Sequence, residues 1–323
     1  MERLDHFMAR ANAAYYADHD PFRDFTTSPE ITQVFGELLG LWAAVTWEAM
    51  GRPDPVLLAE CGPGRGTLMA DALRATARVA PAFHAAQRLH LVETSPRLRA
   101  IQTAALPGAT WHDGIGTLPP GPLLLLANEF LDALPIRQFV RRGAGWAERH
   151  VADGAFTEQP ASDPGLHAAD GEVAELCEPA RAIAAALAGR IAREGGAALF
   201  LDYGPAASAA GDSLQALRAG RPADPLAAPG QADLTAHVDF AALAHAARDA
   251  GAAVHGPVPQ GLFLARMGLF QRTGNLARTQ PPGRAAGLIQ AAQRLAEPNR
   301  MGRLFKALAV CHPGLPTPAG FEP

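Results

Sequence analysis

A glycine-rich bend between an apolar run and a helix has the residue types of a cofactor-binding turn. Val56-Leu57-Leu58-Ala59 leads into Glu60, and Gly62, Gly64 and Gly66 follow at alternate positions. Glycine has no Cβ and tolerates positive φ, so the backbone of such a bend can approach a ligand closely. The same glycines would also suit a tight strand-to-helix connection, and the bend alone leaves that alternative open.

The spacing of the glycines and the acid before them indicate the kind of ligand. GxGxG differs from the GxGxxG of dinucleotide-binding folds. The carboxylate of Glu60 would repel a pyrophosphate but attract a cation. We therefore predict a cationic ligand such as the amino-acid end of S-adenosylmethionine, and an NAD-dependent dehydrogenase is disfavoured.

A second acid ends the next predicted strand. Residues 88–92, with leucine at 89 and 91 and valine at 92, predict a strand that ends at Glu93. Thr94-Ser95-Pro96 is typical of a helix start. An acid in this position can accept hydrogen bonds from both hydroxyls of a ribose. The alternative is a solvated carboxylate at a helix start, where the helix dipole favours negative charge.

Apolar runs alternate with amphipathic segments from Pro53 onward, which predicts an α/β fold with a parallel, Rossmann-like sheet and helices on both faces. The predicted strands lie near residues 56–59, 89–92, 109–112, 123–127 and 197–201, and the helices near 68–80, 96–104 and 174–194. Polar residues follow each strand: Glu60, Glu93, Asp113, Asn128-Glu129 and Asp202-Tyr203. Because open α/β sheets bind ligands at the carboxyl ends of their strands, we expect these residues to rim one crevice.

Other segments predict additions to this core. Residues 1–50 predict an N-terminal helical extension over the cofactor site, with one helix beginning at Ser28. Within a core of residues 51–323, insertions are expected near 137–153, as a β-hairpin, and near 205–235. Residues 239–250 predict a helix, and 253–259 and 305–312 predict the last strands. The loop at 23–29 would either cap a helix or cover a ligand.

Composition excludes some classes of protein. The chain has 323 residues, 48% of them hydrophobic, and a formal net charge of −4, which does not favour a nucleic-acid partner. Its cysteines lack metal-ligand spacing, its histidines lack HxH or HExxH patterns, and no metal is expected. No apolar run approaches the roughly 20 residues of a membrane span. With no secretory leader apparent, we expect a cytoplasmic protein with reduced thiols.

Several separated strings together resemble one family. They are residues 24–31 (DFTTSPEI), 62–69 (GPGRGTLM), 92–96 (VETSP), 127–135 (ANEFLDALP), 201–204 (LDYG), 232–240 (ADLTAHVDF) and 301–306 (MGRLFK). Over nearly the whole chain the pattern resembles the MidA-type methyltransferases, a group of mitochondrial complex I assembly factors and their bacterial relatives. Cys61, where leucine is expected, and the lack of aromatic residues after Gly204 are departures from that pattern.

The resemblance implies a class I methyltransferase fold with S-adenosylmethionine as cofactor. For the mitochondrial members it implies symmetric dimethylation of an arginine on a core complex I subunit. We assign the bend, Glu60 and the ribose acid Glu93 to the cofactor, with Asp113 and Gly114 at the adenine edge. The full expected cofactor set is Ser28, Glu60, Gly62, Gly64, Gly66, Thr67, Glu93, Thr94, Asp113, Gly114, Asn128 and Glu129.

Three residues are candidates for the chemistry itself. Glu129 and Asp132 could orient a guanidinium, which is always protonated and needs carboxylates to offset its charge. Capping or a surface turn is the alternative for both. His237 could act as a general base, although a hydrogen bond to a helix start is the favoured explanation.

Three classes of protein fit this pattern: a protein-arginine methyltransferase, a small-molecule methyltransferase, and a non-catalytic assembly factor that keeps the fold. The first is favoured by the family strings. It implies a protein substrate, and a homodimer is one assembly to test.

Overall fold

The N-terminal part of the protein is helical. The structure, a computed structural model, describes residues 1–19 and 26–323. The chain begins with β1 (Glu2–Arg3), α1 (Leu4–Asp18), α2 (Ser28–Ile31) and α3 (Gln33–Ala49). Arg23, Asp24 and Phe25, which belong to the predicted covering loop, lie outside the described residues.

The prediction of one helix beginning at Ser28 is wrong, because two helices occupy this stretch. Thr32 has extended backbone that separates them, and its side chain accepts a 3.4 Å hydrogen bond from Val34 N. Such an N-cap satisfies an amide that has no partner in the first turn, so α3 begins after Thr32.

A seven-stranded sheet forms the centre of the fold. Its strands are β2 (Val56–Cys61), β3 (Gln87–Val92), β4 (Thr110–His112), β5 (Leu123–Asn128), β10 (Gly196–Tyr203), β14 (Ala253–Pro259) and β15 (Phe305–Cys311). Their order across the sheet is β14-β15-β10-β5-β2-β3-β4, and β15 is antiparallel to both of its neighbours. The other pairings are parallel. The predicted Rossmann-like sheet is confirmed.

Helices cover both faces of this sheet. Those after the N-terminal part are α4 (Thr67–Val79), α5 (Pro81–Ala86), α6 (Pro96–Ala105), α7 (Glu178–Glu194), α8 (Phe240–Asp249), α9 (Gln260–Arg266), α10 (Leu269–Ala277), α11 (Pro282–Ala296) and α12 (Met301–Leu304). Leu124 and Leu126 of β5 belong to one buried cluster with α3 and α4, whereas Leu123 and Leu125 belong to another with α7 and α8. Because both faces are covered, the strand is apolar throughout.

The order of the strands reverses at the centre of the sheet. The chain continues from β2 to β3 and β4 on one side and then returns to β5 on the other side of β2. In open α/β sheets such a reversal leaves a crevice outside the carboxyl ends of the two strands. Here that crevice lies between the glycine bend after β2 and the Asn128-Glu129 pair of β5.

Two smaller sheets are inserted around the core. The first contains β6 (Arg137–Arg142), β7 (Gly145–Ala152), β8 (Ala155–Ala161) and β9 (Val173–Leu176), with β1 added at its edge. The second contains β11 (Gln215–Arg218), β12 (Arg221–Ala223) and β13 (Asp233–Thr235). The predicted hairpin at 137–153 is present as β6 and β7. Among the described helices, none is both long and apolar enough to cross a membrane.

The helix predicted from residue 174 begins later than expected. Residues Val173–Leu176 form β9, which pairs with β6, and α7 begins at Glu178. The alanine-rich composition favoured a helix through this stretch, but the edge of β6 supplied hydrogen-bond partners that a local pattern does not reveal.

The close contact between α3 and α4 gives a stability prediction. A Cβ at Gly40 would lie 2.7 Å from the Cα of Ala72. Gly40→Ala should therefore lower the free energy of unfolding by about 1–3 kcal/mol, measured by urea denaturation. Gly287→Ala in α11 is the matched control: nothing lies within 4 Å of its added Cβ, and it should leave stability unchanged or raise it by about 1 kcal/mol. Equal effects of the two substitutions would contradict this packing.

Candidate active site

A cavity of about 730 Å³ lies at the carboxyl ends of β2, β3 and β5. The glycine bend, the residues after β3 and residues 128–130 and 133–135 line it, and α1 and α2 contribute side chains from the N-terminal part. Of the strand ends predicted to rim one crevice, those of β2, β3, β4 and β5 do so. Asp202-Tyr203 does not line the cavity, which corrects that part of the prediction.

The bend has the backbone conformation for which glycine is suited. Gly62, Gly64 and Gly66 have φ values of 63°, 54° and 82°, in the left-handed region. Gly66 directly precedes α4, whose first amides have no partners within the helix. Thr67, the first residue of α4, donates a side-chain hydrogen bond to Glu30 Oε1 and so holds Glu30 against the cavity.

Acidic side chains predominate among the ionisable residues of the cavity. Five carboxylate residues and one arginine, Arg65, are among the described residues that line it. The acids are Glu30, Glu60, Glu93, Asp113 and Glu129. Glu30 was missed by the sequence analysis as a site residue, although it lies within the 24–31 string that the resemblance used. Such a lining favours a ligand with positive charge.

Glu60 has a buried carboxyl group with an unused oxygen. Its side chain is 3% exposed, and burial raises its pKa to about 8. Its Oε2 atom and the Oδ1 atom of buried Asn128 have no hydrogen-bond partner among the described residues. An unpaired buried polar atom costs about 1–3 kcal/mol. Both residues line the cavity, so a donor on a bound ligand would satisfy them.

Glu93 is fixed at the end of β3 by contacts to both of its oxygens. Ser95 N donates to Oε1 at 2.8 Å, and Gln102 Nε2 donates to Oε2 at 3.3 Å. Gln102 Nε2 also lies 2.8 Å from Gly64 O, so it joins the acid to the glycine bend. Burial raises the pKa of Glu93. Gln102 lies on α6, 38 residues from Gly64 in the chain, and nothing in the sequence pattern pointed to it.

The adenine-edge candidates lie at the rim. Asp113 has a side chain that is 84% exposed and paired with Arg99, whose Nη2 atom lies 2.5 Å from Oδ1. Gly114 and Ile115 line the cavity beside it. Thr94 also lines the cavity. The assignment of Asp113 and Gly114 to adenine stays a prediction.

Glu129 extends from β5 in an unusual conformation. Its φ of 48° is left-handed, which is costly for a residue with a Cβ and occurs where the surroundings enforce it. Glu129 Oε1 accepts hydrogen bonds from Ser28 N at 2.7 Å and from Asn128 Nδ2 at 3.1 Å. Burial raises the pKa of Glu129. Ser28 therefore acts on the cavity through Glu129, at the start of α2.

Asp132 lies behind the cavity and does not line it. Its buried carboxyl group lies near those of Asp202 and Asp233, and burial together with these neighbours raises its pKa. Asp202 Oδ2 accepts hydrogen bonds from the backbone amides of residues 130, 131 and 132 at 2.8–3.3 Å. Asp132 was expected to contact the substrate together with Glu129. Its position behind the cavity instead makes it part of the structure that supports this turn.

His237 is also outside the cavity. Its neighbours Ala236 and Val238 are buried, whereas its own side chain is exposed and packs edge-on against Tyr203 at 5.6 Å between ring centroids. Adjacent side chains of an extended segment point in opposite directions, so burial of its neighbours turns His237 outward. Its position does not support the predicted role as a base in this cavity.

Helix α1 adds side chains that were not among the expected site residues. Asn12 donates to the backbone oxygens of Ala133 and Leu234 at 3.0 and 2.8 Å, and Tyr16 donates to Asp233 Oδ1 at 2.8 Å. Both residues line the cavity. These partners are more than a hundred residues away along the chain, so only the fold brings them together.

Comparison with a protein family gives a match across most of the core. Residues 38–258 match the model of a family described as S-adenosyl-L-methionine-dependent methyltransferase. The chain is 35% identical to protein arginine methyltransferase NDUFAF7, mitochondrial, from Danio rerio, with 92% of this chain and 79% of the relative covered. The Homo sapiens protein of that name is also 35% identical, with 89% and 73% covered.

A solved structure gives the same result for the fold and the cofactor. A protein from Burkholderia thailandensis, solved bound to S-adenosyl-homocysteine, has a TM-score of 0.82 and 27% identity, with 98% of this chain and 89% of that chain covered. The predicted S-adenosylmethionine cofactor is confirmed by these comparisons, and the described cavity fits it through the unpaired atoms of Glu60 and Asn128.

The comparisons correct the predicted location. The relatives from Danio rerio, Drosophila melanogaster and Homo sapiens are all named as mitochondrial proteins, so the expectation of a cytoplasmic protein is wrong. It depended on the apparent lack of a leader, which is weak evidence about location.

Loss of Glu93, the predicted ribose acid, should weaken cofactor binding. Glu93→Ala would remove the two expected hydrogen bonds between the carboxylate and the ribose hydroxyls, each worth about 1.5 kcal/mol. The Kd for S-adenosylmethionine, measured by calorimetry, should therefore rise about 100-fold. Asp113→Ala should change it less than five-fold, because that carboxylate is exposed and already paired with Arg99. Unchanged affinity in Glu93→Ala would remove the ribose assignment.

Cofactor binding should release a proton from Glu60. With a pKa of about 8 the group is mostly protonated at pH 7, and a bound ammonium would favour its ionised form. Affinity should therefore rise with pH between 6 and 7. Calorimetric titrations at pH 7 would be made in phosphate and in Tris, which differ in ionisation enthalpy. The difference between the two binding heats should correspond to the release of close to one proton. Glu60→Gln should abolish this difference, and equal heats for the unchanged protein would contradict the assignment.

Proposed function

The chain belongs to the S-adenosyl-L-methionine-dependent methyltransferase family, and from that premise we propose that it methylates an arginine side chain of a protein. The relatives named protein arginine methyltransferases support the choice of substrate. Glu129 carries the proposal within this structure, because it presents a carboxyl group to the cofactor cavity from the end of β5.

A guanidinium would be matched to Glu129 in charge and shape. Arginine is always protonated and binds carboxylates through paired N–H donors. Ser28 N and Asn128 Nδ2 fix Oε1 of Glu129 and so fix the plane of the carboxyl group. A neighbouring cation would favour the ionised form of this acid and offset the cost of its burial.

The protein's contribution to the reaction is orientation and proton transfer. When bound, the cofactor supplies an electrophilic methyl group. Glu129 holds the guanidinium with one nitrogen facing that group, and the raised pKa of Glu129 suits it to accept the proton that the methylated nitrogen releases. Helices α1 and α2 reduce access of water to the cavity.

The organisation of the chain belongs to the same proposal. Residues 1–50 act as an extension that covers the cofactor site, and residues 51–323 form the methyltransferase core with insertions near 137–153 and 205–235. Asn12 and Tyr16 of α1 support this division, because they line the cavity from the extension. Ser28 of α2 also contacts Glu129 from that side.

The family resemblance suggests where to look for the substrate. We propose a subunit of respiratory complex I, or its bacterial equivalent, as the first protein to test. The purified enzyme would be incubated with methyl-labelled S-adenosylmethionine and lysate from cells that lack this gene. Label on arginine in one protein band is expected, whereas label only in small molecules would overturn the proposal in favour of a small-molecule enzyme. Absence of any label would favour a non-catalytic assembly factor.

Substitution of the orienting acid tests the assigned role. Glu129→Gln keeps the size of the side chain but loses its charge, and should lower kcat for transfer to arginine at least 100-fold, about 3 kcal/mol. The Kd for S-adenosylmethionine should change much less. Glu158→Gln, on β8, should keep full activity. Full transfer by Glu129→Gln would show that another group orients the acceptor.

A further inference from the structure

A second cavity, of about 450 Å³, lies beside the cofactor cavity. Leu131 and Ile136 line the second cavity, whereas residues 133–135, between them in the chain, line the first. On α7 the arrangement repeats, with Arg181 in the second cavity and Ile183 in the first. The two cavities therefore share a wall made of one chain segment and the first turns of α7.

Several hydrogen-bond donors of the second cavity have no carboxylate partner among the described residues. Arg181 and Arg248 line it, and in the described part of the chain neither guanidinium has a carboxylate partner. His167 and His237 line it as well, and no ion pair to either imidazole occurs within residues 1–19 and 26–323. We call this cavity the donor groove, defined by Arg181, Arg248, His167 and His237.

The acids of the donor groove are already engaged. Glu175 Oε1 accepts hydrogen bonds from Gln138 Nε2 at 2.7 Å and Ser213 N at 2.9 Å, and Ser213 Oγ donates to its Oε2. Asp239 Oδ1 accepts from Ala242 N at 2.9 Å at the start of α8. The formal charges of these acids and the two arginines cancel. The hydrogen-bonding capacity of the two guanidinium groups is not used up, because neither has a carboxylate acceptor within residues 1–19 and 26–323.

The floor of the groove is apolar. It contains Leu131 and Leu243, which are buried, and Leu166 and Leu176, which are partly buried. Donors above an apolar floor suit a segment that alternates carboxylate and aliphatic side chains. A free anion would satisfy the donors but not the floor.

We propose that the donor groove docks an acidic and aliphatic segment of the same protein whose arginine enters the cofactor cavity. The inference rests on the proposed function. Packed layers of protein lie about 10 Å apart, and an extended peptide advances about 3.3 Å per residue. The docked acids therefore lie about three to six residues from the methylated arginine. Such a groove selects the substrate without contact to the reacting atoms.

Paired peptides test this docking. Two fluorescein-labelled twelve-residue peptides would carry one arginine, with Glu-Leu-Glu four residues away in one and Lys-Leu-Lys in the other. Anisotropy titrations would use the full-length protein with saturating S-adenosyl-homocysteine. The acidic peptide should bind at least ten-fold more tightly at low salt, and its advantage should shrink as salt rises.

Charge reversal identifies the surface. The R181E/R248E variant should lose the preference for the acidic peptide. The R193E/R284E variant, which makes the same change of net charge on exposed parts of α7 and α11, should keep it. Thermal unfolding by circular dichroism checks the fold, and R181Q/R248Q gives a milder second variant with the same expected direction. Equal binding of both peptides, or a preference that survives R181E/R248E and R181Q/R248Q, would overturn the proposal.

Methyl transfer to the two peptides separates this inference from the proposed function. Transfer to both at equal kcat/KM would overturn the docking groove and leave arginine methylation standing. Binding of the acidic peptide that depends on Arg181 and Arg248, without transfer to arginine, would support the groove and remove the proposed function. Displacement of the acidic peptide by inorganic phosphate at micromolar concentration would instead assign the groove to a small anion.

Discussion

Carboxyl groups held away from water are the constraint on which this active site depends. Glu60, Glu93 and Glu129 come from the ends of three neighbouring strands, and burial raises the pKa of each. A buried carboxylate is stable only when a cation or hydrogen-bond donors compensate for lost hydration. The cofactor has a positively charged sulfur and an amino group, and the proposed acceptor is a guanidinium. Ligand binding would thus supply compensation that the protein groups alone provide only in part.

The topology of the sheet brings these groups together. Parallel strands direct their carboxyl ends to one edge, and the reversal between β2 and β5 leaves room there for a ligand. The glycine bend lines the cavity, and Gln102 of α6 connects the bend to Glu93. Helices α1 and α2 line the cavity from the N-terminal part of the chain, and the backbone amide of Ser28 fixes Glu129. No single element of the fold forms the site.

The turn after β5 connects both cavities to the core. Asp202 accepts three backbone hydrogen bonds from this turn, which supports the left-handed conformation of Glu129. Asp132 lies beside Asp202 and Asp233, and Tyr16 of α1 binds Asp233, so the support extends to the N-terminal helix. The continuation of the same turn is the wall between the cofactor cavity and the donor groove. A shift in this segment would therefore affect cofactor binding and the proposed docking together.

Sequence by itself determined the parallel strands, the glycine bend and the acids that follow the strands, because burial on both faces requires continuous apolar runs and a close ligand approach requires glycine. It placed residue 174 in a helix that begins only at Glu178, and assigned no helices to residues 260–304, where four occur. The outward direction of His237 and the contacts of Gln102, Asn12 and Tyr16 were decided by the tertiary structure. A local pattern encodes periodicity and burial, whereas these features depend on partners distant in the chain that meet only when the layers pack.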